Sequence, residues 1–228
     1  MLTTEQRQQF VACGYLPIGQ VATPASVTTL RTEATRLLTA MPEDHLMRSE
    51  DGHVRVALHL CHLSEVFREH ARNAQVVAAV GDLFAEPPLA LTSLLFNKPA
   101  RVGEALQLHQ DVPYYSYLGD DDLVTCWTAI DAAGTDNGCV EYLPASHHER
   151  LPHRETGQQQ ALDIDPSAVD TSSLMPVPLS AGEAVIHHGL TAHRSAANAT
   201  AKPRLGIATL YIREHVPVTR DDFPYAPF

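Results

Sequence analysis

Residues 184–212 read AVIHHGLTAHRSAANATAKPRLGIATLYI, and this stretch carries the pattern that decides the fold. Residues 184–188 and 204–212 are short runs rich in apolar and β-branched side chains, and Asn198-Ala199-Thr200 between them is a turn signal. Apolar runs of this length, bounded by turns, favour β-strands over helices. The stretch therefore predicts two strands of a β-rich structure.

The same texture extends back along the chain to residue 89. Five more segments predict short strands: residues 89–96, 109–117, 123–130, 139–143 and 175–179. Turn signals such as Gly119-Asp120 and Ala181-Gly182 lie between them. Seven or so short strands after a helical region favour an α+β chain that is mainly β, a sandwich or barrel such as a jelly roll.

Helix signals are concentrated before residue 88. Thr3 and Gln6 have the spacing of a capping box, and Gly14 can end the short helix that they begin. A brief strand and two further helices are predicted, over residues 15–18, 24–40 and 74–84. We expect these N-terminal helices to pack on the β-structure that follows.

The chain has 228 residues, of which 44% are hydrophobic, and this is enough for one sizeable core. We expect one domain over residues 1–228, with residues 1–88 as mostly helical support and residues 89–228 as the jelly-roll core. Residues 149–173 are polar and contain proline. They are interpreted as a long insertion loop, either over the active site or at the surface.

The net charge of −11 disfavours nucleic acid and anionic membrane surfaces as partners, because phosphate groups would be repelled. No apolar run is long enough to span a bilayer, and residues 1–7 lack the features of a secretory signal. The four cysteines are far apart in the sequence, which predicts reduced thiols. A cytoplasmic location is expected.

His109 and Asp111 form an HxD pair, and side chains at i and i+2 of a strand point to the same face. The segment 189–195, which contains His193, is the best source of a third metal ligand. Two histidines and one carboxylate leave three open positions on an octahedral ion, which suits Fe(II) with a chelating cosubstrate and O2. The alternative is a hydrogen-bonded pair of half-exposed strand residues.

Other histidines compete for the role of ligand. They are His147, His187 and His188. Of the adjacent pair at 187 and 188, one side chain must face the interior if the segment is a strand, so one of the two is expected to line a substrate pocket.

The chain resembles the phytanoyl-CoA dioxygenase (PhyH-like) family of iron- and 2-oxoglutarate-dependent oxygenases along most of its length. The tail is the most specific part: four residues match the family's H-x-S-x-x-N-x5-R pattern, namely His193, Ser195, Asn198 and Arg204. Further matching features are the opening Leu2–Gln6 and Gly14–Leu16, Asn97-Lys98-Pro99 before the HxD, Trp127, Asn137-Gly138 and Pro144–His147.

This resemblance implies a double-stranded β-helix, the cupin-like jelly roll. It also implies that iron is held by His109, Asp111 and His193, since in the family the third ligand is the histidine eleven residues before the arginine. Arg204 is implied to bind the distal carboxylate of 2-oxoglutarate, for which a planar, permanently charged fork is well suited.

Three more residues are expected near the cosubstrate. Ser195 could donate to the same carboxylate, and Thr128 and Trp127 adjoin this pocket by analogy with the family. Trp127 could equally be part of the core. Arg55 is a candidate second cation, with a solvated strand position as its alternative.

The function implied is hydroxylation of an unactivated C–H bond of a small metabolite, with release of succinate and CO2. A biosynthetic intermediate of secondary metabolism is the expected kind of substrate, and the enzyme is expected to be a monomer or homodimer. Asp111 favours hydroxylation over radical halogenation, which requires a small residue at that position. Desaturation, cyclisation or epimerisation stay open, as do a non-catalytic metal-binding jelly roll and a zinc hydrolase.

Substrate recognition has three tyrosine candidates close after the HxD. They are Tyr114, Tyr115 and Tyr117, whose alternative role is to pack the mouth of the barrel.

Overall fold

A computed structural model describes residues 1–155, 162–165 and 167–228 of the chain. The first helix, α1 (Thr4–Cys13), follows from its local sequence. The Thr3 hydroxyl accepts a hydrogen bond from the Gln6 amide at 3.2 Å, and the Gln6 side chain accepts one from the Thr3 amide at 2.9 Å. Gly14 ends the helix at a φ of 82°. The predicted capping box and glycine stop are both confirmed.

The other helices are α2 (Pro24–Ala40), α3 (Leu60–Leu63), α4 (Glu65–Ala71) and α5 (Ala74–Phe84). Helices α2 and α5 lie where the sequence predicts them. Helices α3 and α4 were not predicted, because elements of four and seven residues are too short to show a helical period. None of the helices in the described ranges is long and apolar enough to cross a membrane.

Thirteen short strands make up the β-structure of the described residues. They are β1 (Tyr15–Gln20), β2 (Leu46–Arg48), β3 (Val54–Ala57), β4 (Pro88–Lys98), β5 (Leu106–His109), β6 (Leu123–Ala129), β7 (Val140–Tyr142), β8 (His153–Glu155), β9 (Leu162–Ile164), β10 (Met175–Val177), β11 (Glu183–His188), β12 (His193–Ser195) and β13 (Arg204–Arg213).

These strands form two facing sheets and a hairpin. The larger sheet has the order β1-β11-β6-β13-β4-β3-β2, the smaller sheet has the order β10-β7-β12-β5, and β8 pairs with β9. Every pairing in them is antiparallel. Strands β1, β2 and β3 belong to the N-terminal region, so the first 88 residues extend the larger sheet as well as supplying helices.

Two apolar layers lie on opposite sides of the larger sheet. The layer between the sheets contains Trp127, Tyr142 and Leu210, and the layer under the helices contains Val124, Cys126 and side chains of α5. Strand β6 contributes to both layers because successive side chains of a strand point to opposite faces. This alternation decides which residues of β6 can reach the interior of the jelly roll.

The strand predicted over residues 109–117 is wrong. Strand β5 ends at His109, Asp111 has helical backbone angles, and a 3-10 turn covers Val112–Tyr114. The amides of Asp111 and Val112 both donate to the carbonyl of Gly189, at 2.8 and 3.0 Å, and this contact turns the chain away from the sheet.

Residues 149–173 are not a plain loop in their described part. Strands β8 and β9 form a hairpin there, and a 3-10 turn covers Thr171–Ser173. His153 connects the hairpin to β5, because its Nε2 accepts a hydrogen bond from the Gln110 amide at 3.0 Å. Residues 156–161 and residue 166 lie outside the described residues.

Candidate active site

His109, Asp111 and His193 come together where β5 and β12 of the smaller sheet pair. Each offers one ligand atom, and these three atoms lie within 4.8 Å of one another. The Nε2 atoms of His109 and His193 are 3.6 and 3.7 Å from Oδ1 of Asp111. Both histidines are buried, with 5% and 7% of their surface exposed. The three residues predicted as ligands are therefore adjacent in space.

Strand pairing places the two histidines side by side. His193 on β12 lies opposite His109 on β5, and their ring centroids are 4.2 Å apart. The Nδ1 of His109 lies 2.8 Å from the Gln107 carbonyl, and the Nδ1 of His193 lies 2.9 Å from the Thr191 carbonyl. A carbonyl only accepts, so each Nδ1 carries the proton and each Nε2 keeps a lone pair that faces Asp111.

Asp111 reaches the histidines from the turn and not from a strand, so the prediction that the two HxD side chains share one strand face is wrong. Its two carboxylate oxygens have different surroundings. Oδ1 faces His109 and His193. Oδ2 accepts a hydrogen bond from the Thr125 hydroxyl at 2.7 Å and lies 3.0 Å from Nε2 of His187.

The protonation states suit metal binding. Burial raises the pKa of Asp111, but the His193, His109 and His187 rings around the carboxylate lower it more, so it stays well below its usual range. Burial, aided by repulsion from His109, holds the pKa of His193 well below its usual value. At neutral pH the site thus offers an ionised carboxylate and a neutral His193 imidazole, both in their ligand forms.

Arg204 opens β13 and is almost completely buried, with 1% of its surface exposed. Its Nη2 donates to the Gly138 carbonyl, but Nε and Nη1 have no hydrogen-bond partner among the described residues. Burial lowers the pKa of Arg204 only to about 10, so the guanidinium stays charged at neutral pH. A buried cation with unsatisfied donors is costly, and an anion bound in the cavity would reduce that cost by accepting hydrogen bonds from the guanidinium.

One cavity is lined both by Arg204 and by His109, Asp111 and His193. Ser195 and Trp127 line it as well. The guanidinium carbon of Arg204 lies 5.1 Å from the centre of the Trp127 ring, a cation–π contact. Trp127 also belongs to the apolar layer between the sheets, so both roles considered for it from the sequence apply. The remaining walls are largely apolar: Leu94, Phe96, Leu106, Val140, Ala208 and Leu210.

Thr128 does not belong to this cavity, and its prediction as a cosubstrate-binding residue is wrong. Its hydroxyl lies 3.2 Å from Nε2 of His70 on α4, on the helical side of the larger sheet. The cavity-lining threonine is Thr125, which lies two residues before Trp127 and hence on the same face of β6. Because side chains alternate between the two faces of a strand, the sequence alone was enough to place Thr125 on the same face as Trp127.

The structure separates the competing histidines. His187 lines the cavity, whereas His188 points to the opposite face of β11 and lies 3.3 Å from the Asp121 carboxylate. The His147 ring lies beside His188, with 5.4 Å between their centroids, and its Nε2 is 3.2 Å from the Val11 carbonyl. His187 is thus the interior member of the pair at 187 and 188.

Among the other candidates, Tyr114 lies nearest the histidine pair. Its ring meets that of His109 edge-on at 5.8 Å, and its hydroxyl accepts a hydrogen bond from the Leu162 amide at 2.9 Å. Tyr115 and Tyr117 pack against the apolar layer between the sheets. Arg55 forms an ion pair with Glu104 at 3.1 Å.

The sequence profile of the phytanoyl-CoA dioxygenase (PhyH) family matches residues 10–206. The chain belongs to this family. Membership confirms the resemblance seen in the sequence and makes the protein an oxidoreductase of the dioxygenase class. The matched residues include the HxD pair, His193 and Arg204.

Among known PhyH relatives, the methylphosphonate hydroxylase of Gimesia maris is 28% identical over 92% of this chain and 80% of its own length. Human peroxisomal phytanoyl-CoA dioxygenase is 24% identical over 88% of this chain. The chain spans only 65% of that human relative's length.

Solved structures share the fold. EvdO2 from Micromonospora carbonacea var. aurantiaca, complexed with 2-oxoglutarate, has a TM-score of 0.77 at 21% identity, covering 99% of this chain and 98% of its own. The epimerase SnoN in complex with Fe3+, alpha ketoglutarate and nogalamycin RO has a TM-score of 0.75 at 22% identity, covering 91% and 82%. These likenesses confirm the jelly-roll fold predicted for this PhyH family member.

Proposed function

We propose that this PhyH family member is an iron(II)- and 2-oxoglutarate-dependent oxygenase that hydroxylates an unactivated C–H bond of a small metabolite. One observation carries the proposal: the buried, charged and incompletely bonded Arg204 lines the same cavity as His109, Asp111 and His193. A structural metal site needs no such cation. A cosubstrate that chelates a metal at one end and has a carboxylate at the other needs both.

His109, Asp111 and His193 would hold the iron, and Arg204 would hold the distal carboxylate of 2-oxoglutarate. Ser195, two residues after His193 on the same face of β12, is in position to donate to that carboxylate as well. When bound, iron and 2-oxoglutarate together supply the activation of O2, with succinate and CO2 as by-products.

The protein's contribution is binding, orientation and the exclusion of water. Apolar side chains of β4, β7 and β13 form much of the cavity wall, so few protein groups there compete with the cosubstrate for hydrogen bonds. The low polarity also strengthens the attraction between Arg204 and a bound carboxylate. Asp111 would supply an anionic oxygen to iron at the position that a halogenase leaves open for halide.

Anaerobic addition of Fe(II) and 2-oxoglutarate tests the metal site. We expect the weak visible charge-transfer band of a chelated keto acid, and we expect His109→Ala and His193→Ala to abolish it along with succinate formation. His188→Ala is the matched control, because that side chain points away from the cavity. A band that survives in His193→Ala, or tight zinc binding without a band in the wild type, would contradict the proposal.

The type of oxidation is tested with a library of small metabolites under ¹⁸O2. Hydroxylation adds one labelled oxygen atom to the product, whereas desaturation, cyclisation and epimerisation add none. Mass spectrometry of the product that accompanies succinate therefore separates hydroxylation from the other outcomes.

A further inference from the structure

We propose that His187 is a positioning residue that fixes the orientation of the Asp111 carboxylate, so that only Oδ1 is presented to the metal. The inference rests on the proposed iron site. It concerns the third histidine that lines the cavity, which is 2% exposed and whose ring centroid lies 4.5 Å from that of His193.

The two carboxylate oxygens of Asp111 have different partners. Oδ1 faces Nε2 of His109 and of His193. Oδ2 is turned to the other side, where the Thr125 hydroxyl lies at 2.7 Å and Nε2 of His187 at 3.0 Å. Two hydrogen bonds on one oxygen leave the other as the free ligand atom.

The hydrogen bonds of His187 fix which of its ring nitrogens carries the proton. An ionised carboxylate only accepts, so Nε2 of His187 must carry the proton and donate to Asp111. The other nitrogen, Nδ1, lies 3.0 Å from the Tyr142 hydroxyl and in the neutral ring can only accept. Tyr142 therefore donates to His187, and His187 donates to Asp111.

Packing from the N-terminal region supports these hydrogen bonds. Tyr142 is completely buried, and the ring of Tyr15 on β1 stacks on it with centroids 4.7 Å apart and planes 12° from parallel. Strand β1 also pairs directly with β11, where Tyr15 lies opposite His187. The N-terminal strand thus holds both His187 and its hydrogen-bond partner in place.

His187 is not placed as a ligand itself. Its Nε2 points to Oδ2, and it is absent from the set of ligand atoms that lie within 4.8 Å of one another in the described residues. The hydrogen bond from His187 affects the geometry of the site. A carboxylate held on one oxygen binds the metal through the other alone, which keeps three positions open for 2-oxoglutarate and O2.

The test measures the dissociation constant of Fe(II) alone, under anaerobic conditions, for four variants. In His187→Gln the amide nitrogen can replace Nε2, so affinity should stay within about threefold of the wild type. In His187→Asn the shorter amide cannot reach Oδ2, and in His187→Phe the donor is lost. Both should weaken iron binding by about tenfold or more, the usual effect of removing a hydrogen bond to a metal ligand. Tyr142→Phe, which keeps the packing, should weaken binding in the same direction.

His188→Phe is the control, because the side chain of this neighbouring histidine points away from the cavity. Circular dichroism of the metal-free variants establishes that each one is folded. The positioning role would be overturned if His187→Gln and His187→Asn lost iron affinity equally. It would also be overturned if His187→Asn and His187→Phe bound iron with wild-type affinity. A loss beyond about a thousandfold in all three would make His187 a ligand, also against the inference. His193→Ala keeps the tests separate: if it binds iron normally, the proposed iron site itself is wrong.

Discussion

Arg204 shows how a single residue can indicate a ligand. A guanidinium with 1% exposure and two unsatisfied nitrogens would destabilise the fold unless something anionic completes its hydrogen bonds. The Trp127 ring on one side and the Gly138 carbonyl on the other fix the plane of the guanidinium. Its orientation is therefore set before any cosubstrate binds, which reduces the entropy cost of binding.

Replacing Arg204 with alanine should raise the 2-oxoglutarate concentration needed for half-maximal activity by about a hundredfold, roughly 3 kcal/mol, because a charge-assisted bidentate contact is lost. For Arg204→Lys this concentration should lie between those of the wild type and Arg204→Ala, since lysine keeps the positive charge but not the planar guanidinium fork. Anaerobic titration should show unchanged iron affinity in both variants. An unchanged requirement for 2-oxoglutarate would mean that another group holds the distal carboxylate.

At the scale of one element, strand β6 divides its side chains between two environments. Thr125 and Trp127 face the cavity, whereas Val124, Cys126 and Thr128 face the helices. The prediction that grouped Thr128 with Trp127 assigned neighbours in sequence to one pocket, although a strand sends them to opposite faces.

The two threonines of β6 give a matched pair of variants. Thr125→Val removes a hydrogen bond to Asp111 and should weaken iron binding several-fold. Thr128→Val removes the hydrogen bond to His70 and should leave iron binding unchanged while lowering the free energy of unfolding by about 1 kcal/mol. Iron titration and urea denaturation of both proteins measure these effects. Similar iron affinities in the two variants would show that Thr125 does not support Asp111.

At the scale of the whole molecule, the helical layer contains a titratable group that links stability to pH. His70 is packed between α4 and the larger sheet, and burial lowers its pKa from 6.5 to about 4. Between these values the folded state keeps His70 neutral while the unfolded chain binds a proton. The contribution of His70 to stability is therefore complete above pH 6.5 and decreases as pH falls toward 4.

The difference between a pKa of 6.5 and one of about 4 corresponds to about 3 kcal/mol of unfolding free energy. Urea denaturation at pH 7 and pH 4.5 should show that the free energy of unfolding of the wild type falls strongly between the two pH values. The fall should be smaller for His70→Gln. Part of the loss should persist in the variant, because burial also lowers the pKa of His59 to about 4. Equal losses in the two proteins would show that His70 is not protonated on unfolding.

The sequence by itself determined the features that depend on local interactions and on the family pattern. The capping box at Thr3, the helices α2 and α5, most strands after residue 88 and the tail from His193 to Arg204 all follow from residues close together in the chain. These signals were sufficient for the jelly roll and for the family. They specify which elements form and which residue types the chemistry requires.

Only the tertiary structure decided which face each strand buries and where the chain leaves the sheet. Asp111 reaches the site from a turn because the Gly189 carbonyl, 78 residues further along, binds its amide. Strands β6 and β11 pair in one register, and the helices cover one side of their sheet. For this reason the cavity is faced by Thr125 and not Thr128, and by His187 and not His188. Alternation along a strand is a local property, but the choice between its two faces depends on contacts between residues distant in sequence.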